Sequence, residues 1–355
     1  MQQDTPLISV VIPVYNGERT IQETLRSVLR QTLANFEILV INDGSTDRTA
    51  RVVASLDDPR IRLLNFANGG LAVSRNRGIA RASGQFIAFL DADDLWTPDK
   101  LESQYRALVD HPECAVAYSL THYIDEAGHH KGICSGYIAN GNVYDDFLKF
   151  NFLGSGSNPL IRREALSEVG DFDPAFNPAE DWDMYLRLAR RFPFICVPEF
   201  QILYRTHQRS MSASVAPMEA AILKLFEKVD VLPGSPQAAL LQEGLSNTYR
   251  YLTLRALQAP PSLKTAWTSL KYLLRWISLD HLDEHWKLKA RKLALKLYLL
   301  LKIALMFGTP PKLAPWMLQR FETLLKRLSP ESTVTLPFAN GTRLMRQDGS
   351  LLPTS

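Results

Sequence analysis

The chain has 355 residues, of which 46% are hydrophobic and 22% are charged, values typical of a globular protein that can bury a sizeable core. A net charge of +3 excludes the polybasic signature of a nucleic-acid-binding protein, so we expect no nucleic-acid partner. The cysteines, Cys114, Cys134 and Cys196, are scattered without metal-binding spacing, which argues against a disulfide framework and indicates a reducing compartment.

Short apolar strands alternate with amphipathic helices over the first 112 residues. Strands are predicted at residues 7–15, 36–42, 61–66 and 85–90. Helices are predicted at residues 17–32, 67–84 and 97–112, the last with Thr97 as its cap and Pro98 at its first position. This alternation predicts an α/β fold with a doubly wound, mostly parallel sheet flanked by helices.

The character of the sequence changes twice along the chain. Residues 113–212 are mixed, and beyond about residue 215 the segments become helical, rich in Leu, and rich in Lys and Arg. We predict a first domain over residues 1–212, with halves at about 1–112 and 113–212, and a helical C-terminal region over 213–328. The last stretch, 329–355, has no clear periodicity and is predicted to be a flexible tail.

Acidic residues follow two of the predicted strands. Asp43 follows the second strand, and Asp91 and Asp93 follow the fourth. In such sheets the ligand lies outside the carboxyl ends of the strands, so these acids are expected at one ligand edge. A bare D-x-D can be a solvated acidic loop, but this placement favours a Mg²⁺ or Mn²⁺ site. Because Mg²⁺ takes few carboxylates and fills its other positions with phosphate oxygens, the pair suggests a bound diphosphate.

Four further motifs each leave two interpretations open. The acids that open "EDWDMYLRLARR" either compensate a helix dipole or supply a general base. The "GSGSN" segment is either a flexible loop or a close backbone approach to a ligand. His207 is either an exposed histidine or a contact to metal or phosphate, and Arg75 and Arg77 lie either on a solvated helix face or against a diphosphate.

The succession of motifs resembles one enzyme family. "VIPVYNG", "INDGSTDRT", "SRNRG", "FLDADDLW", "GSGSN", "EDWD" and "YRTHQRSMS" occur in the order and spacing of the family 2 glycosyltransferases of the GT-A fold, over residues 6–212. The resemblance implies transfer of a sugar from a nucleotide diphosphate sugar to an acceptor hydroxyl, with inversion at the anomeric carbon. It also implies a divalent cation, Mn²⁺ or Mg²⁺, and a UDP-sugar as the donor.

The resemblance assigns roles to individual residues. Asp181 matches the catalytic base, with Glu180 beside it, and Asp93 matches a metal ligand. The family's nucleotide and donor contacts match Pro13, Tyr15, Asn16, Asp43, Arg75 and Asp91. His207 matches a histidine that is a metal ligand in some members, and the acceptor or sugar loop matches Trp96, Ser157, Asn158 and Trp182. Ser74 departs from the alanine that often precedes the Arg-Asn pair.

The sequence also bears on three other protein classes. A nucleotidyltransferase also has an α/β sheet and uses Mg²⁺, but the glycine-rich first loop with basic residues is absent after "VVIPVY". A dehydrogenase is excluded because no G-x-G-x-x-G follows the first strand. A non-catalytic protein that binds sugar nucleotides, or a scaffold, would be favoured if Asp91, Asp93 or Asp181 were missing, and all three are present.

The basic, Leu-rich segment Trp286–Gly308 raises the question of membrane contact. Its uncharged apolar runs, 297–301 and 303–307, are too short for a transmembrane helix. It is either a helix packed on its neighbours or an interfacial helix on an anionic leaflet. The acidic N-terminus lacks the basic region of a signal peptide. We therefore expect a cytoplasmic protein that acts on a glycan or lipid-linked acceptor in surface polysaccharide or glycolipid synthesis. Of the two alternatives for this segment, the interfacial helix would add peripheral contact with the inner face of the cell membrane.

Overall fold

The computed structural model describes residues 5–206, 214–259 and 263–279, together with the backbone of residues 345–346. The chain divides into two compact units. The first contains the described residues up to Phe147, those from Asn151 to 206, and 345–346, and the second contains 148–150 and the remainder. Compactness alone does not show that a part folds independently, so the predicted domain boundaries stay predictions.

The first unit is built on a nine-stranded sheet, with a separate two-stranded sheet formed by β8 and β11. The strands in chain order are β1 (Ile8–Val14), β2 (Phe36–Asp43), β3 (Ile61–Phe66), β4 (Phe86–Phe89), β5 (Leu95–Trp96), β6 (Val116–Ile124), β7 (His130–Ser135), β8 (Tyr137–Ile138), β9 (Leu160–Arg162), β10 (Phe194–Arg205) and β11 (Met345–Arg346). The helices between them are α1 (Ile21–Leu29), α2 (Thr49–Ala54), α3 (Leu71–Ile79), α4 (Lys100–Asp110), α5 (Tyr144–Lys149), α6 (Arg163–Val169) and α7 (Glu180–Ala189), with a 3₁₀ turn at Pro174–Phe176.

The predicted α/β fold with flanking helices is confirmed, and its sheet is mixed. Strands β3, β2, β1 and β4 are adjacent and parallel, as the alternation of strand and helix predicts. Beyond β4, the short strand β9 runs antiparallel to both β4 and β6, while β10 is parallel to β6. The alternation stops after α4, where β6 and β7 form an antiparallel hairpin joined by a loop too short for a crossover.

The centre of the sheet is covered on both faces. Every residue of β1 and β2 is buried, which explains their nearly continuous apolar sequence. Helix α1 packs into this core through Ile21, Leu25 and Val28. Gly78 brings α3 against β1, since a Cβ there would lie 2.2 Å from a methyl carbon of Val11. This packing fixes the loops that leave the carboxyl ends of β1, β2 and β4.

The three helices predicted within the first 112 residues all begin later and end earlier than the sequence predicted, at Ile21–Leu29, Leu71–Ile79 and Lys100–Asp110, and the last also lacks its predicted cap. Helix α4 starts at Lys100, and Thr97 and Pro98 lie in the turn before it. The Thr97 hydroxyl donates to Asp99 Oδ1 at 2.6 Å instead of accepting from a helical N–H group. Thr97 is therefore not the helix cap that the Thr-Pro pair suggested.

The second unit consists of helices in its described residues. These are α8 (Val215–Lys228), α9 (Pro236–Ala256) and α10 (Leu263–Leu279), and α9 begins after a Ser235 cap that accepts from the Ala238 N–H. Tyr249 and Tyr272 pack together in its core and donate hydrogen bonds to Glu219, each at 3.1 Å. The predicted helical character is confirmed here, whereas Trp286–Gly308 and most of the tail lie outside the described residues.

None of the helices in the described parts of the chain is both long and apolar enough to cross a membrane.

Candidate active site

The acidic loop after β4, residues 91–94, is fastened through its backbone. The Asp91 N–H donates to Ser157 Oγ at 3.0 Å, and the Asp93 carbonyl accepts from Arg205 Nε at 2.8 Å. The Thr24 hydroxyl lies 3.0 Å from the carbonyl oxygens of both Ala92 and Asp94. Contacts from three different segments thus fix the direction in which the Asp91 and Asp93 side chains leave the loop, and both side chains are partly exposed.

Arg75 is the buried cation beside this loop. Helix α3 carries it, its side chain is only 2% exposed, and its guanidinium reaches Asp91 Oδ1 at 2.9 Å and Glu180 Oε1 at 2.8 Å. It therefore joins the acidic loop to the start of α7. Gly156 of the "GSGSN" segment lies directly against it, since a Cβ there would be 2.3 Å from Arg75 Nη2. The close backbone approach at this glycine is made to the arginine.

Glu180 and Asp181, the acids at the start of α7, lie in an environment that disfavours the ionised form of a carboxyl group. Burial raises the pKa of Glu180 to about 7, and the opposing pull of Arg75 keeps that pKa from rising further. Burial also raises the pKa of Asp181, against the opposing effects of Arg75 and of a hydrogen bond from the Trp182 N–H. A carboxylate with a raised pKa is a stronger base than an exposed aspartate, and Arg75 helps both acids to stay ionised.

Asp181 also has a side-chain partner that the sequence did not indicate. Its Oδ2 lies 3.3 Å from Asn151 Nδ2, which approaches from the segment before β9. Trp182, predicted for the acceptor or sugar loop, is 6% exposed and donates from Nε1 to the Phe147 carbonyl at 2.9 Å. This tryptophan anchors α7 in the core and holds the neighbouring Asp181 at the helix start.

The other residues predicted for the acceptor loop lie mainly in the interior. Trp96 is 4% exposed and donates to the Ser157 carbonyl at 2.8 Å. Asn158 is fully buried and makes hydrogen bonds to both the N–H and the carbonyl of Ser119. Contact of these side chains with an acceptor stays a prediction, while their observed hydrogen bonds fasten the loop to β6.

The residues predicted for the nucleotide pocket lie at the ends of β1 and β2. Pro13 is buried within β1, Tyr15 is 55% exposed, and Asn16 accepts at its side-chain oxygen from the Thr46 N–H at 2.8 Å. Asp43 accepts from the N–H groups of Gly69 and Gly70, each at 2.8 Å.

Arg77 also binds Asp43, through Nη1 at 2.8 Å, and stacks over the Phe66 ring. The Asp43 carboxylate thus ties the end of β2 to the start of α3. Its predicted contact with a base stays a prediction.

The acidic loop has the donor chemistry that a hard divalent cation requires. Within the described ranges, no three His, Cys, Asp or Glu side chains form a group that would hold a metal by itself. Mg²⁺ usually takes one or two protein carboxylates and completes its shell with phosphate oxygens and water. Asp93 with the neighbouring Asp91 fits a cation that binds together with a diphosphate. His207, the other predicted ligand, lies outside the described residues.

Comparison with solved structures defines the class of fold as the GT-A type. S. aureus TarS 1-349 in complex with UDP-GlcNAc gives a TM-score of 0.57 at 16% identity, over 98% of this chain and 99% of that chain. The mannosyltransferase PcManGT from Pyrobaculum calidifontis, in complex with GDP-Man and Mn²⁺, gives 0.52 at 18% identity, over 93% and 89%. At these identities the likeness establishes the fold alone.

The family model described as "Glycosyltransferase like family 2" matches residues 9–228. This is more than half of the chain, and the chain belongs to that family.

Two curated relatives are similar in sequence. Escherichia coli WfgD, a UDP-Glc:alpha-D-GlcNAc-diphosphoundecaprenol beta-1,3-glucosyltransferase, is 49% identical over 102 residues, 28% of this chain and 40% of the relative. Bacillus subtilis TuaG, a putative teichuronic acid biosynthesis glycosyltransferase, is 32% identical over 217 residues, 59% of this chain and 82% of the relative. The chain spans less than half the length of several curated relatives, 36% to 40%.

The ion pair between Arg75 and Glu180 leads to a prediction about stability. Arg75→Met leaves the Glu180 carboxylate buried without its cation, so we expect the free energy of unfolding to fall by about 3–5 kcal/mol. Arg62→Met is the matched control, because Arg62 pairs with Glu37 at 3.0 Å while half exposed, and its loss should cost about 0–1 kcal/mol. Urea unfolding followed by tryptophan fluorescence measures both, and equal losses would contradict the importance of burial.

Proposed function

We propose that the chain is an inverting, metal-dependent glycosyltransferase that moves a sugar from a nucleotide diphosphate sugar to an acceptor hydroxyl. The observation that carries the proposal is the Arg75 guanidinium, which joins Asp91 of the acidic loop after β4 to Glu180, the neighbour of Asp181 at the start of α7. This ion pair holds together the two kinds of group that transfer requires. Asp91 and Asp93 serve the donor, and Asp181 serves the acceptor as a carboxylate base. Membership of the family supports the same reaction.

The donor side is assigned to the acidic loop and to the ends of β1 and β2. Asp93 would hold a divalent cation, with Asp91 nearer the ribose and sugar, and the cation would neutralise charge on the nucleoside diphosphate that leaves. Pro13, Tyr15, Asn16 and Asp43 are assigned to the base and ribose. A UDP-sugar is the proposed donor, supported by the UDP-GlcNAc complex of TarS and the UDP-Glc specificity in the name of WfgD.

The acceptor side is assigned to Asp181. Its carboxylate would take the proton of the acceptor hydroxyl as that oxygen attacks the face of the sugar opposite the leaving group. Such a single displacement inverts the anomeric carbon without a covalent intermediate. Asn151 and the Trp182 N–H bind Asp181 and hold its orientation. The role of Glu180 is to bind Arg75, which in turn holds Asp91.

Buried polar atoms around the base are consistent with a polar substrate. Among the described residues, Glu180 Oε2, Arg75 Nε and Asn151 Oδ1 have no hydrogen-bond partner. Buried polar groups are normally satisfied, and hydroxyl groups of a sugar would provide partners of the right chemistry. A glycan or lipid-linked acceptor is proposed, as in the diphosphoundecaprenol-linked acceptor named for WfgD.

Replacement of the proposed base should separate binding from chemistry. We expect Asp181→Asn to lower transfer from UDP-glucose or UDP-GlcNAc to a GlcNAc-diphosphoprenol acceptor by at least about 100-fold, because a general base supplies that much. Binding of UDP, measured by calorimetry, should stay unchanged. Asp183→Asn is the control on the same helix turn, since Asp183 pairs with Arg187 at 2.8 Å. Wild-type turnover in Asp181→Asn would remove this residue from the role and point to another base, whereas a wild type that binds UDP and transfers no sugar would favour a non-catalytic binding protein.

Replacement of the proposed metal ligand should remove the cation dependence of nucleotide binding. In calorimetry with UDP, Mn²⁺ should strengthen binding to the wild type and have no effect on Asp93→Ala, because the carboxylate that holds the cation is gone. Asp57→Ala is the control, an exposed acid before β3 at the opposite edge of the sheet. A Mn²⁺ effect in Asp93→Ala as large as in the wild type would show that the cation binds elsewhere.

We also propose that helix α10 contacts an anionic membrane surface. Trp267, Leu274 and Ile277 are exposed on one side of this helix, at 65%, 55% and 36%, and follow a helical spacing. Exposed Lys264, Lys271 and Arg275 lie beside them. Apolar side chains flanked by cations are the pattern of a helix that lies in a lipid interface.

Flotation with phosphatidylglycerol vesicles tests this contact. The wild type should float with these vesicles and not with neutral phosphatidylcholine vesicles, and Leu274→Glu with Ile277→Glu should stay at the bottom. Leu232→Glu is the control, because Leu232 is 77% exposed outside α10. A wild type that never floats would rule out the membrane contact and leave the transferase proposal intact.

A further inference from the structure

Asp94 is the buried member of the acidic loop. Its side chain is fully buried, its Oδ2 accepts from Ser157 Oγ at 2.6 Å, and its Oδ1 accepts from the Arg205 N–H at 2.8 Å. Both oxygens are therefore bound by segments that are distant in sequence. The sequence suggested for this residue only the capping of a turn.

The two partners of Asp94 also bind the rest of the acidic loop. Ser157 Oγ accepts from the Asp91 N–H at 3.0 Å, and Arg205 Nε donates to the Asp93 carbonyl at 2.8 Å. The Arg205 side chain is itself 3% exposed and pairs with Glu23 at 2.7 Å. The Asp94 carboxylate thus belongs to two small hydrogen-bond networks. One includes the backbone of Asp91, and the other includes the backbone of Asp93.

A carboxylate is a costly choice at this position. Asp94 is fully buried close to two like charges, Asp91 and Asp93, and both burial and like charge penalise its ionised form. A turn could be capped by an exposed polar residue without that cost. The contacts that offset the cost at Asp94 all fix the segments that carry Asp91 and Asp93.

We propose that Asp94 is a positioning residue for the donor side of the site, and this inference rests on the proposed function. Through Ser157 it sets the backbone of Asp91, and through Arg205 it sets the backbone of Asp93. The two partly exposed acids then face a nucleoside diphosphate and its cation in one fixed geometry. Partners that orient metal ligands in this way typically contribute about 10- to 100-fold to metal affinity.

The test measures the Mn²⁺ concentration that gives half-maximal binding of UDP to the full chain, by calorimetry. We expect Asp94→Ala and Ser157→Ala each to raise this concentration by about 10- to 100-fold. Asp94→Asn should restore most of the affinity, because an amide oxygen can accept from the Arg205 N–H while its NH₂ donates to Ser157 Oγ. Ser157→Ala removes only the two hydrogen bonds of one hydroxyl, the one to Asp94 Oδ2 and the one from the Asp91 N–H, and it supplies the result if Asp94→Ala does not fold.

Ser9→Ala is a closely matched control near the amino end of the central strand β1, away from the acidic loop. Ser9 Oγ donates to the buried Glu37 carboxylate at 2.7 Å and accepts from the Gly84 N–H at 2.9 Å, the same arrangement as at Ser157. It should lower the melting temperature as Ser157→Ala does and leave the Mn²⁺ concentration unchanged.

Three results would overturn the inference. An unchanged Mn²⁺ concentration in Ser157→Ala would show that Asp94 has no positioning role. An Asp94→Asn protein as weak as Asp94→Ala would assign the effect to charge and not to position. A wild type that binds UDP without any dependence on Mn²⁺ would overturn the metal-dependent function as well, whereas the first two results leave that function standing.

Discussion

The buried guanidinium of Arg75 is the interaction on which the candidate site depends. It lies between Asp91 and Glu180, at 2.9 and 2.8 Å, and so joins a strand-end loop to a helix start that is about ninety residues further along the chain. Without a cation there, the acids of these segments would repel one another in a dry interior. Gly156 leaves room for it, since a side chain at that position would have to displace the Arg75 guanidinium.

Around this ion pair, buried polar side chains hold the neighbouring loops in place through hydrogen bonds. Asp94, Asn158 and Asp43 are nearly or fully buried, and each binds at least one backbone group of another segment. Loops at the ligand edge of a sheet are otherwise mobile, and such bonds hold them without adding regular structure. A site assembled from four loops can then present its acids in one geometry, which transfer between two substrates requires.

Much of the fold was predictable because its first half follows simple periodicities. Continuous apolar runs marked β1, β2 and β4, and helical spacing marked α1. The placement of Asp43 and Asp91 at the same end of the sheet followed from parallel strands alone. What local pattern could not predict are partnerships across long sequence distances: the pairing of β9 with β4 and β6, the burial of Asp94, and the contact of Asn151 with Asp181. Each depends on which segments the tertiary fold brings together.

The central claim is that this edge binds a nucleoside diphosphate sugar and a divalent cation together. A thermal unfolding series across UDP- and GDP-sugars, each with and without Mn²⁺, tests it most directly, because a ligand that binds only the folded chain raises the melting temperature. We predict a larger rise with one nucleotide sugar and Mn²⁺ together than with either alone. Melting temperatures that no nucleotide sugar changes, with or without Mn²⁺, would contradict the claim.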